Sequence, residues 1–141
     1  MPAKKKGKGP SLTSLKKFLK NNEVQLIRTS DLRDPAANPD FKWTGVKKSD
    51  QNLIKQLRAY QRLLNVVPST NTDLILPFLQ EGLRSAVHIA AISQQQFLQK
   101  YQHLTKDQSV LLACHRKATA IRARLLLHYV NRKQQPLSRI S

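Results

Sequence analysis

Between Leu57 and Lys133, apolar residues return every three or four positions through LRAYQRLLNVVP, LILPFLQEGLRSAVHIAAISQQQFLQKY and CHRKATAIRARLLLHYVNRK. That spacing sets one apolar stripe on each segment, so the pattern predicts helix after helix. Ser49 is placed to cap the first of these. Leu53, Ile54, Leu57, Tyr60 and Leu64 share its inner face, Lys55, Arg58 and Arg62 turn outward, and Pro68 closes it. Thr72 or Asp73 opens the next helix, where Pro77 implies a late start or a kink and Gly82 suits the left-handed position at the end. Ser85 caps AVHIAAI, and Ser93 with Gln96 forms a capping box before QQQFLQKY. Thr105 and Gln108 repeat that device ahead of the longest helix, Lys106 to Lys133, on which Leu111, Cys114, Ala118, Ile121, Leu125 and His128 make one stripe.

Upstream the pattern weakens. MPAKKKGKGP has no apolar periodicity, and Gly7, Gly9 and Pro10 deny it a helix. Ser11 or Thr13 can cap a short helix with Leu15, Phe18 and Leu19 inside, and Val24, Leu26 and Ile27 mark a second buried patch. Pro35, Pro39 and Gly45 then break regular structure, leaving Phe41, Trp43 and Val46 to pin a loop to the helices. The expected fold is all-α: a small bundle of about five to six helices, a helical-hairpin unit, one long C-terminal helix and a flexible basic N-terminal tail. Its boundaries are a tail over 1–10, a single helical domain over 11–135 and a C-terminal extension over 136–141. Leu57, Leu64, Phe78, Ile89, Phe97, Ile121 and Leu125 are its expected shared core.

Charge adds a second theme. The chain has 141 residues, with 25 Lys and Arg against 8 Asp and Glu, for a formal net charge of +17. Both ends are basic and the middle is nearly balanced. Such a field attracts polyanions, and lysine tails also serve solubility alone. The residues that would meet a polyanion are Lys4, Lys5, Lys6 and Lys8 on the tail, Arg84, and Arg116, Lys117, Arg122, Arg124, Arg132 and Lys133 on the long helix. Those helix residues lie in two rows flanking the apolar seam. Two rows suit a solvated helix that packs by its middle and equally a helix lying along a polyanion.

No constellation of catalytic residues interrupts the pattern, so the chain reads as a non-enzyme with no cofactor and no metal. His88, His103, His115 and His128 are spaced too widely to place two ligands one helical turn apart. Cys114 and His115 are neighbours on a helix and point about 100° apart, and Cys114 falls on the apolar stripe as a small hydrophobe. One cysteine excludes an internal disulfide. No apolar run approaches the ~18–20 residues of a membrane span, and the basic N-terminus lacks the apolar core of a secretory signal. The expected location is the cytoplasm of the producing cell, with export only as part of a larger assembly.

Two resemblances bear on function. The turn Gly82-Leu83-Arg84 followed by a helix capped at Ser85 resembles a helix-hairpin-helix, in which glycine amides and the second helix's N-terminus grip a phosphate. The DNA-binding form has two glycines flanking an apolar residue, and only Gly82 stands here, which favours a pseudo-hairpin used for packing or protein contact.

Residues 57–141 as a whole resemble the N-terminal helical region of insecticidal toxin-complex (Tc) A components. The positions that carry the likeness are Tyr60, Gln61, Arg62, Leu63 and Leu64; then Gly82, Leu83, Ser85, Ala86, Ile89, Ala90 and Phe97; then Arg116, Ala118, Ile121, Arg122, Arg124 and Asn131. These are helix-packing positions. The resemblance implies a detached, non-catalytic helical module, accessory or cargo-like, that binds protein partners in a bacterial toxin or injection system. The alternative that the charge supports is a small nucleic-acid-binding protein working through phosphate contacts.

Overall fold

The computed structural model describes the backbone of residues 11–140 and the side chains of residues 11–131. It is all-helical, with seven α-helices and no strand among the described residues: α1 Thr13–Asn21, α2 Val24–Thr29, α3 Gln51–Leu64, α4 Ile75–Gln80, α5 Ala86–Ala90, α6 Gln94–Tyr101 and α7 Gln108–Ile140. The chain divides into two compact units, Met1–Arg84 and Ser85–Ser141.

The first unit is built around α3, which packs against α1, α2 and α4. Its buried residues, Leu53, Ile54, Leu57, Ala59, Tyr60, Leu63 and Leu64, exceed one stripe because helices approach it from several sides. The cap is Asp50 and not Ser49: its Oδ1 accepts from the amides of Asn52 and Leu53 at 3.1 and 3.2 Å. A carboxylate at that position also complements the positive end of the helix dipole. At the far end, Arg28 donates to the Leu64 carbonyl at 3.2 Å. In return, Gln61 Nε2 from α3 donates to the carbonyls of Ile27 and Ser30, 2.9 and 2.7 Å away, where α2 runs out of intrahelical donors.

The irregular segment before α3 is pinned as its aromatics predict. Phe41 and Trp43 meet Phe18 edge-on, with ring centroids 5.2 and 5.1 Å away. The Trp43 Nε1 is buried without a hydrogen-bond partner. A second fastening is polar. Buried Asn22 donates from Nδ2 to the carbonyls of Phe18 and Lys42 at 3.0 and 2.8 Å, and its Oδ1 accepts from the Lys42 amide at 2.8 Å. One carboxamide therefore closes α1 and fixes the loop beside it.

Other caps differ from expectation. Leu12, not Ser11 or Thr13, occupies the cap of α1, and no side chain supplies an acceptor there. Residues Ser69–Leu74 form a 3-10 turn, so α4 starts at Ile75 rather than beside Thr72 or Asp73. This is the late start that Pro77 requires: as the third residue of α4 it lacks only an amide that the first turn leaves unbonded. Gly82 takes φ +88° and ends α4 as expected. Its amide donates to the Leu79 carbonyl at 3.0 Å and that of Leu83 to the Phe78 carbonyl at 2.9 Å, the pair of hydrogen bonds that makes a Schellman motif.

In the second unit α5 and α6 both pack on α7. Ser85 and Ser93 cap as expected, accepting from the amides of His88 and Gln96 at 3.4 and 3.2 Å. Ahead of α7 the acceptor is Asp107, whose Oδ1 takes the Ser109 amide at 3.0 Å; Thr105 instead accepts from the Asp107 amide at 3.2 Å. The bonds from Ser109 hold the Asp107 carboxyl below the usual range. Ile89, Phe97, Tyr101, Leu111, Cys114 and Ala118 are fully buried or nearly so. Phe97 packs with tilted rings against Tyr101 and His115, with centroids 5.1 and 5.5 Å apart.

Candidate interaction surface

α7 has 33 residues, which at 1.5 Å per residue makes it about 50 Å long. The helices that cover it, α5 and α6, have 5 and 8 residues. Short covers on a long helix leave part of it bare. Val110, Leu111, Cys114, His115 and Ala118 are buried, Ile121 is half-buried, and every residue from Arg122 to Asn131 is exposed.

Leu125 is therefore not core. It is 55% exposed, with Leu126 at 50%, Leu127 at 62%, Tyr129 at 58% and Val130 at 43%. Of the other expected core residues, Leu57, Leu64 and Phe78 are buried in the first unit and Ile89 and Phe97 in the second. The stripe from Leu111 through Ile121 does continue through Leu125 as periodicity predicts, but the neighbours that would bury it stop short.

At about 100° per residue, Leu125, Leu126, Tyr129 and Val130 share an arc of roughly 140°. Leu127 lies apart from them. Arg122 falls inside that arc one turn earlier, Arg116 lies about 40° past its edge, and Lys117, Arg124 and His128 line the opposite face. Arg116, Lys117, Arg122 and Arg124 are all exposed, and so is Arg84 in the first unit. Residues 108–141 contain no Asp or Glu. The arc thus pairs contiguous apolar surface with unneutralised basic charge. Lys4, Lys5, Lys6 and Lys8 lie outside the described residues, as do the side chains of Arg132 and Lys133.

The four exposed neighbours of Leu125 are the functional candidates that stripe reasoning passed over. Their signal was the run LLL followed by Tyr129 and Val130. Three consecutive leucines span about 200° of helix circumference, more than one covering face can bury.

The hairpin at Gly82 is closed to a phosphate by its own hydrogen bonds. The Gly82 and Leu83 amides, which would face an anion in the helix-hairpin-helix, are occupied by the Leu79 and Phe78 carbonyls. A Cβ at Gly82 would meet nothing within 4 Å, so the glycine serves the positive φ and not a close backbone approach. Elsewhere in the first unit, Arg58 spends its guanidinium on the carbonyls of Leu32 and Arg33, each at 2.8 Å. Arg33 pairs with Asp31 at 2.6 Å, and this partner holds the Asp31 carboxyl down at about 2.

Burial pushes the Cys114 thiol up to about 12, which keeps it protonated and poorly nucleophilic at neutral pH. His115 beside it is committed to the Ile92 carbonyl, 2.6 Å from Nε2. Among the described residues no group of three His, Cys, Asp or Glu is placed to hold a metal ion. No described helix is long and apolar enough to cross a membrane.

The fold and this surface define an all-α bundle protein with a helix that extends beyond its own packing. No family model, curated protein or solved structure matches the chain.

Proposed function

We propose that this chain is a non-catalytic helical interaction module, similar to part of a toxin-complex A component, that serves as an accessory or cargo-like protein of a toxin or injection system. The observation that carries the reading is the exposed apolar cluster Leu125, Leu126, Leu127, Tyr129 and Val130 on α7. Contiguous apolar surface of this kind marks a docking site in soluble proteins. Of the positions that carry the likeness to the toxin-complex region, Tyr60, Leu63, Leu64, Leu83, Ala86, Ile89, Phe97 and Ala118 are buried, and Arg62, Gly82, Arg116, Arg122, Arg124 and Asn131 are exposed.

Site-specific photo-cross-linking in the producing cell tests the module. A cross-linker at position 127 is expected to yield a discrete protein adduct that one at Lys47, exposed in the first unit, does not. Adducts to nucleic acid alone, or identical adducts from both positions, would overturn it.

The net charge of +17, with Arg116, Lys117, Arg122 and Arg124 exposed on one helix, favours a second reading as a phosphate-binding protein. Counterion release then requires affinity for random-sequence duplex to fall steeply with salt. Salt-insensitive binding, or none at low salt, removes this reading.

A further inference from the structure

We infer that the partner of α7 is a different protein presenting an apolar groove or helix face edged with Asp and Glu. This deepens the module reading and rests on it. Leu125, Leu126, Tyr129 and Val130, all at least 43% exposed and contiguous at i, i+1, i+4 and i+5, require an apolar surface opposite them. Charge complementarity requires acids at its edge. Arg122 lies within the arc, Arg116 lies about 40° past its edge, and α7 carries no acidic residue to neutralise them.

An apolar partner without acids would desolvate Arg122 unpaired, and burying an unpaired charge is costly. A second copy of the chain fits worse. Pairing two α7 helices through this arc would bury Arg122 of each copy in a contact that holds no acid, in molecules that already repel at +17. A flat anionic lipid surface reaches one side of a helix, whereas the apolar side chains here, with Leu127, extend over more than half the circumference. A concave or helical protein surface covers more of them. The pairing is of the kind in which a helix lays its apolar face into a groove, and the charged rim sets partner and orientation.

The probe is a pair of synthetic helical peptides with the same leucine heptads, flanked by Glu in one and Lys in the other. Binding to the full chain is read by fluorescence anisotropy. The Glu-flanked peptide is expected to bind and the Lys-flanked one to bind about tenfold or more weakly. Leu126→Glu with Val130→Glu, both exposed and free to change without touching the core, is expected to lower affinity for the Glu-flanked peptide by about tenfold or more. Arg116→Glu with Arg122→Glu is expected to reverse the preference between the peptides.

Equal binding of the two peptides, or no reversal by the arginine pair, overturns the acidic partner while the cross-link at position 127 still decides the module. Binding of neither peptide overturns it as well. Self-association of the chain in sedimentation velocity that disappears in the Leu126→Glu, Val130→Glu variant assigns the surface to a second copy. Tighter binding to phosphatidylserine vesicles than to the Glu-flanked peptide assigns it to lipid. Either result refutes the inference.

Discussion

The Nε2 of His115, in the third turn of α7, lies 2.6 Å from the backbone carbonyl oxygen of Ile92, in the turn between α5 and α6. A carbonyl can only accept, so this nitrogen carries the proton and donates. The ring also packs, tilted, against Phe97, which places a polar fastening within an apolar interface. The bond gives a partner to a carbonyl in the turn between α5 and α6.

His115→Leu keeps the volume and removes the donor. It is expected to cost about 1–3 kcal/mol, because the Ile92 carbonyl loses its partner in a part-buried place. Urea denaturation followed by circular dichroism measures it. An unchanged midpoint would mean that water replaces the ring without loss.

Leu57 and Leu125 separate core from surface. Leu57→Ala, at a fully buried position, is expected to cost about 2–5 kcal/mol, and Leu125→Ala, at a half-exposed one, no more than about 0.5 kcal/mol. Thermal melts of the isolated chain compare them. Equal losses would show that α7 is covered in solution beyond Ile121.

Cys114 is expected to resist thiol reagents in the native protein and to react fully once the chain is unfolded. Burial limits access and disfavours the thiolate, with the thiol pushed up to about 12. Labelling with a chromogenic disulfide at neutral pH, with and without denaturant, provides the comparison. Rapid native labelling would mean that the α7 interface opens readily.

Asn22→Asp is expected to destabilise the first unit by about 1–3 kcal/mol although the shapes match. An ionised aspartate can still accept from the Lys42 amide but cannot donate to the Phe18 and Lys42 carbonyls, and it buries a charge. Limited proteolysis is expected to cut the segment between residues 38 and 48 faster in the variant. Cleavage at the wild-type rate would place the restraint on Phe41 and Trp43 alone.

Deleting residues 1–10 is expected to weaken any duplex binding alike for all sequences and to reduce its salt slope. Lysines follow phosphates without reading bases, and each phosphate contact contributes to that slope. Binding isotherms at two salt concentrations measure both effects. A sequence preference that survives the deletion would promote α7 to a reader of base edges.

Features whose partner atoms lie a few residues away were legible in the sequence. The caps of Ser85 and Ser93, the left-handed Gly82 and the late start forced by Pro77 depend on local backbone geometry alone. So did the helical character of the chain and the burial of Leu57, Phe78, Ile89 and Phe97. Where two capping side chains stand close together, local rules did not choose between them. Asp50 displaced Ser49, and Asp107 displaced Thr105. Tertiary structure alone decided the rest. The clasp of Asn22 on Lys42 and the bond of His115 to Ile92 join residues 20 and 23 positions apart. No period in the sequence encodes such a pairing. Leu125 shows the same limit for apolar contacts: a 3.6-residue repeat tells which face of a helix is apolar, but how far along that face is covered depends on the lengths of its neighbours. α5 and α6 are short and α7 is long, so the same stripe is core at Cys114 and open surface at Leu125.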